Sequence, residues 1–72
     1  MKLYAIATRG RNNKEIYLKC KETENDTIQF EWCEDIEQSY SLLNYYEIED
    51  FGNQYFKNYK KWYVKEWCCD YE

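Results

Sequence analysis

Between Glu22 and Phe56 the chain carries ten carboxylates (Glu22, Glu24, Asp26, Glu31, Glu34, Asp35, Glu37, Glu47, Glu49 and Asp50) and not one Lys or Arg. All ten basic residues lie outside that stretch, six before it and four after it. Residues 1–21 sum to +5, residues 22–56 to −10 and residues 57–72 to +1. Carboxylates this dense could do three things. A close pair can act as general acid and base. A cluster can hold a hard divalent cation. A row on a rigid scaffold can meet a cationic groove, imitating a row of phosphates. The first needs a deep cleft, which a chain of 72 residues rarely builds. The second needs a ligand spacing such as the EF-hand loop, and this spacing does not match it. The third needs only segregation, and segregated charge sets up a field that acts on partners. The competing reading is a solubilising face on a small domain.

The rest of the catalytic repertoire is thin. There is no His, so the commonest general base is missing. Ser39 and Ser41 stand outside any G-x-S-x-G context, and Gly10 and Gly52 are isolated, so no phosphate loop is present. The four cysteines include no C-x-x-C, and adjacent Cys68 and Cys69 are poorly placed to chelate one tetrahedral ion. These absences predict a non-enzymatic protein with no cofactor and no metal. The start of the chain has an apolar run too short for a signal peptide, and no stretch is long enough to span a membrane. A cytoplasmic setting with reduced thiols is expected.

One small domain over residues 1–72 must position these groups. Fifteen of the residues are aromatic, more than one small core can hide, and exposed Tyr and Trp are what binding surfaces enrich. Residues 2–8 are apolar almost throughout and read as a strand near the middle of a sheet. Residues 9–14 are a basic turn rich in types that tolerate positive φ. Residues 15–21 and 27–33 alternate with period two, with Ile16, Leu18 and Cys20, then Ile28, Phe30 and Trp32, facing inward. That parity sets Cys20 and Cys33 on opposite faces, against a disulfide between them. From Asp35 the period changes to 3.6. A capping pattern predicts a short helical turn over 35–41, with Ile36 and Tyr40 inward. Asn44 should cap a main helix over about 45–57, with Ile48, Phe51, Tyr55 and Tyr59 as its buried stripe and Gly52 allowing close approach to the sheet. Asn58 is the expected stop. Residues 60–67 read as the last strand, and 68–72 as a C-terminal extension.

The fold class is therefore α+β: an antiparallel sheet in the order β-β-β-α-β with one main helix packed on one face. The open face is expected to carry Tyr4, Ile6, Tyr17, Lys19, Gln29, Glu31, Tyr63 and Trp67. Three surfaces then compete. The first is the acidic belt, with Glu31, Glu34, Asp35, Glu37, Glu47, Glu49 and Asp50 supplying charge and Tyr46 the apolar anchor, Tyr45 being partly exposed. The second is the aromatic sheet face, as a homodimer or target interface. The third is the C-terminal row, where Lys57, Lys60, Lys61 and Lys65 interleave with Tyr59, Trp62, Tyr63 and Trp67. That pattern suits single-stranded nucleic acid, but the net charge of −4 argues against it.

The segments KLYAIATRG, EIYLKC, FEWCEDIEQSY and YFKNYKKWYV together resemble small phage- and prophage-encoded accessory proteins, over about residues 2–67. The heavy Tyr and Trp load and the Cys68–Cys69 end depart from that group. Some acidic members of this size are anti-CRISPR inhibitors. The resemblance implies stoichiometric blocking of a host nuclease complex, so the expected partner is a host protein with a basic groove.

Overall fold

Every strand but one is registered on the first. The computed structural model describes residues 1–57 and 61–68. Strand β1 (Lys2–Arg9) pairs antiparallel with β5 (Trp62–Cys68) along its whole length, from Lys2↔Cys68 to Thr8↔Trp62. On its other edge β1 has two partners in turn. Strand β2 (Glu15–Glu22) pairs with it only from Ala7↔Tyr17 to Arg9↔Glu15. It then diverges and continues against β3 (Ile28–Cys33) alone. The vacated edge of β1 is taken by β4 (Ser41–Leu42), through Tyr4↔Leu42 and Ala5↔Ser41. The Tyr40 amide donates to the Leu18 carbonyl at 2.8 Å, so residues 40–42 form a wedge between the splayed strands. Helix α1 (Tyr45–Phe56) packs on one face of this five-stranded sheet.

The local reasons are those the residue types supply. Asn12 and Asn13 sit at φ of 62° and 60° in the 3₁₀ turn between β1 and β2, a conformation asparagine tolerates better than most residues. The Asp35 side chain accepts from the Glu37 amide at 3.0 Å and starts a 3₁₀ turn over Ile36–Gln38. Asn44 Oδ1 accepts from the amides of Tyr46 and Glu47 at 2.8 and 3.3 Å, meeting the orphan donors of α1.

Ile6, Leu18, Ile48 and Phe56 form the buried centre, ringed by Tyr4, Cys20, Phe30, Trp32, Tyr40, Leu42, Phe51, Trp62 and Val64. Phe30 is held by Phe51, Tyr55 and Phe56, with ring centroids 5.2–6.0 Å away. Burying this set removes several large side chains from water, each contributing about 1.5–3 kcal/mol when fully buried.

The architecture differs from the expected one in four respects. First, β4 is an added strand, too short to show any period. Second, Tyr4 and Ile6 lie under the helix, and Leu3, Ala5 and Ala7 take the open face. Ala7 stands directly between Tyr17 and Tyr63, so that face of β1 must be small, while Ile6 fills the core. Third, the buried stripe of α1 runs Ile48, Gly52, Phe56. Phe51 is only half-buried and Tyr55 is 45 % exposed at the rim, because the helix turns Gly52 onto Trp62. Fourth, Cys68 belongs to β5 and not to an extension. Tyr59, Asn58 as helix stop, Lys60 and the rest of the expected extension (69–72) lie outside the described residues. Cys20, Cys33 and Cys68 are free.

Candidate protein-binding surface

The first turn of α1 supplies the densest set of exposed functional side chains. Asn44 fixes where the helix begins, and that fixes which way its first residues point. Tyr46 is 72 % exposed, with Glu47 and Asp50 exposed beside it. The Tyr45 ring packs edge-on against both Tyr4 and Tyr46, at centroid distances of 5.8 and 5.5 Å. Its hydroxyl donates to Glu49 Oε2 at 3.2 Å. The charge of Glu49, and then this hydrogen bond, push the Tyr45 phenol above its ordinary value. Tyr46 is thus an exposed aromatic anchor resting on the Tyr45 ring, with Glu47, Glu49 and Asp50 on the same turns.

Leu43 is a second exposed apolar side chain at the start of α1, and the sequence pattern does not single it out. It is 65 % exposed and immediately precedes the cap. An apolar residue in that position ordinarily staples to the fourth helical residue, here Ile48. Ile48 is fully buried in the core, and Leu43 stays in water. A Leu just before an Asn cap was the readable signal, because such a residue packs down or stands proud according to how deep its helical partner sits.

The other belt residues are not gathered here. Glu31 lies on the sheet face opposite α1, directly across the strand pair from Lys19. Glu34 follows the end of β3 and pairs with Lys14 at 3.8 Å, both side chains well exposed. Asp35 and Glu37 share the 3₁₀ turn, with Asp35 occupied as its cap. The structure therefore brings together Tyr46, Glu47, Glu49 and Asp50 on one element and Asp35 with Glu37 on another. Glu31 is set apart from both.

The aromatic sheet face is also rearranged. Ala5 and Ala7 are fully buried although no second layer among the described residues covers them. Side chains of β5 cross over β1 to cover them. Trp67 Nε1 donates to Ser41 Oγ on β4 at 3.0 Å. The Tyr63 hydroxyl donates to Glu15 on β2. Glu15 also accepts from the Tyr17 hydroxyl at 2.7 Å and pairs with Lys65 at 3.7 Å. The hydroxyls of Tyr63 and then Tyr17, helped by Lys65, hold the Glu15 carboxyl below its usual range. The hydrogen bond to Glu15 and burial push the Tyr17 phenol up to about 12. Trp62, by contrast, turns inward under α1, so the C-terminal row of lysines and aromatics is split between two faces.

An open pocket of about 290 Å³ lies beside Cys20, Lys21, Glu22, Ile28, Tyr40 and Phe51. Burial pushes the Cys20 thiol above its ordinary value, which keeps it protonated and a poor nucleophile. Among the described residues no three His, Cys, Asp or Glu side chains converge as a metal site would require. No described helix is long and apolar enough to cross a membrane. Comparison of the chain with protein-family models, with curated proteins and with solved structures found no match.

Proposed function

We propose that the chain is a non-enzymatic binding protein that docks the first turns of α1 into a basic groove of a host nucleic-acid-handling protein and blocks it. The phage-encoded anti-CRISPR inhibitors, which the sequence resembles, give the concrete form: a host CRISPR nuclease complex is the target and the host cytoplasm the setting. One observation carries the reading. Tyr46 stands 72 % exposed with Glu47, Glu49 and Asp50 on the first turns of a capped helix, and Leu43, 65 % exposed, immediately precedes the cap. Interfaces put most of their energy in a few aromatic anchors, and a rim of charge sets orientation and association rate. Tyr46 and Leu43 serve as the anchors. The three carboxylates face Lys and Arg of the target where phosphates would otherwise lie. Asp35 and Glu37 extend the acidic rim, and Glu31 contributes nothing to it.

The test is a charge reversal. The Glu47→Lys, Glu49→Lys, Asp50→Lys triple variant is compared with the parent in a host carrying an active CRISPR nuclease, with circular dichroism to confirm the fold. Inhibition by the parent that is lost in the variant supports the reading, together with parent binding that weakens steeply with salt. A folded variant that inhibits as well as the parent overturns it.

A further inference from the structure

Where β2 and β3 diverge from β1, the sheet and α1 do not close on each other, and the open pocket of about 290 Å³ is left at that edge of the core. Its walls are apolar and held in place. Phe51 borders it from α1, and the Phe51 ring packs against Tyr40, Tyr55 and Phe30 at centroid distances of 4.9, 4.8 and 6.0 Å. Cys20 lines it from β2, and Ile28, 47 % exposed, forms its lip on β3. A closed apolar cavity of about 150 Å³ takes one benzene ring, so this pocket has room for a fused pair of rings.

Two polar groups on the wall have no partner within the described chain. The Tyr40 hydroxyl makes no hydrogen bond and Glu22 makes no ion pair among the described residues. Glu22 is directly opposite Ile28, so its side chain shares the helix side of the sheet with the pocket. Lys21 also borders the pocket, but its register with Gln29 turns its side chain to the other side of the sheet. The neighbouring charges add to that of Glu22: Glu24 and Asp26 follow it in the turn, and the charge of Glu47 acts on the Tyr40 phenol. Preformed sites for small molecules combine apolar walls with a few polar groups that fix orientation. Here the apolar part asks for a ring and the polar part for a cation.

From this we infer that the pocket binds a small arylalkylamine, with its ring between Phe51, Tyr40 and Ile28 and its ammonium group at the mouth on Glu22. The ring gains stacking contacts with two aromatic side chains, and the cation gains the carboxylate and the face of Tyr40. No residue lining the pocket belongs to the proposed docking surface, so failure of this inference leaves the α1 reading untouched.

The probe is tryptamine, titrated into the isotopically labelled full chain under reducing conditions and followed by NMR. Saturable shifts should centre on Cys20, Glu22, Ile28, Tyr40 and Phe51. Indole-3-propionate, which carries the same ring on an anionic arm, should bind at least about tenfold more weakly. Glu22→Gln, at an exposed position, should keep the fold and erase most of that preference. The inference is overturned by a chain that shows no saturable shift with millimolar tryptamine, or by shifts centred elsewhere. Equal affinity for the two ligands overturns it too, as does a preference that Glu22→Gln leaves unchanged.

Discussion

The Trp62 indole lies against Gly52 so closely that a Cβ at position 52 would come within 2.6 Å of its Cζ3 atom. The same indole donates from Nε1 to the Phe56 carbonyl at 3.1 Å. One residue of the last strand thus sets how near the helix comes and donates to a carbonyl at the helix end.

Gly52→Ala should therefore destabilise the protein, although alanine favours helix by about 1 kcal/mol over glycine. The ring is pinned by its hydrogen bond and cannot move aside cheaply, and overpacking of this kind costs about 1–3 kcal/mol. Urea denaturation followed by tryptophan fluorescence should show a net loss of up to about 2 kcal/mol. Adding Trp62→Leu should recover part of the loss, because the smaller side chain leaves room for the new methyl. A Gly52→Ala variant as stable as the parent would mean that the helix can ride up at no cost.

How much of this was readable beforehand depended on whether a segment had one polar side. In β2 and β3 the polar residues mark the outward parity, so Leu18, Phe30 and Trp32 are assignable to the core from spacing alone, whereas β5 has a charge and large apolar side chains on both parities. Strand β1 is apolar on both parities, and nothing local says that Ile6 rather than Ala5 lies under the helix. The deciding fact is non-local: Tyr17 and Tyr63 flank Ala7. Strand β4 exists only because β2 leaves β1 past Ala7, which no pattern within residues 41–42 could announce. In the candidate site, Tyr46, Glu47 and Asp50 were legible because Asn44 fixes the phase of the helix. Parity also puts Glu31 opposite Phe30 and Trp32, which by itself separates it from α1.

Asn44→Ala should remove the cap that sets this phase. A loss of about 1 kcal/mol is expected, read as a lower denaturation midpoint. Asn44→Asp should retain most of the stability, since a carboxylate oxygen can accept the same two amide bonds.

Acid should weaken the sheet face through Glu15. Its carboxyl is held below the usual range in the folded chain by Tyr63, Tyr17 and Lys65. A depressed carboxyl contributes stability that is whole at neutral pH and is lost as the pH falls below about 4. Glu15→Gln should lower stability at pH 7 by about 0.5–1 kcal/mol, with the gap to the parent closing in acid. A gap of constant size from pH 7 to pH 3 would show that Glu15 acts by packing alone.

The alkaline side gives the complementary test. Tyr17 keeps its proton up to about 12 in the folded chain, against about 10 for an ordinary tyrosine. A raised value contributes stability that is complete below about pH 10 and disappears as the pH climbs through the folded value. Absorbance at 295 nm should show a late ionisation that Tyr17→Phe removes.

At the α1 patch, Tyr46→Ala and Leu43→Ala should each leave the denaturation midpoint within about 0.5 kcal/mol of the parent, as exposed positions do. If they anchor a partner, Tyr46→Ala should weaken its binding by about 2 kcal/mol, mainly through faster dissociation. Calorimetric titration against the target would measure both.

The Lys2↔Cys68 to Thr8↔Trp62 ladder also governs when the molecule can form. Strand β1 is translated before every strand it pairs with, and β5, its longest partner, after β2 and β4. While the protein is being translated, β1 must wait with one flank bare until residue 68 has cleared the ribosomal tunnel. Pairings so distant along a chain are slow to find. The polypeptide is therefore most exposed to aggregation while β5 is still unmade, along the strand that will later organise everything else.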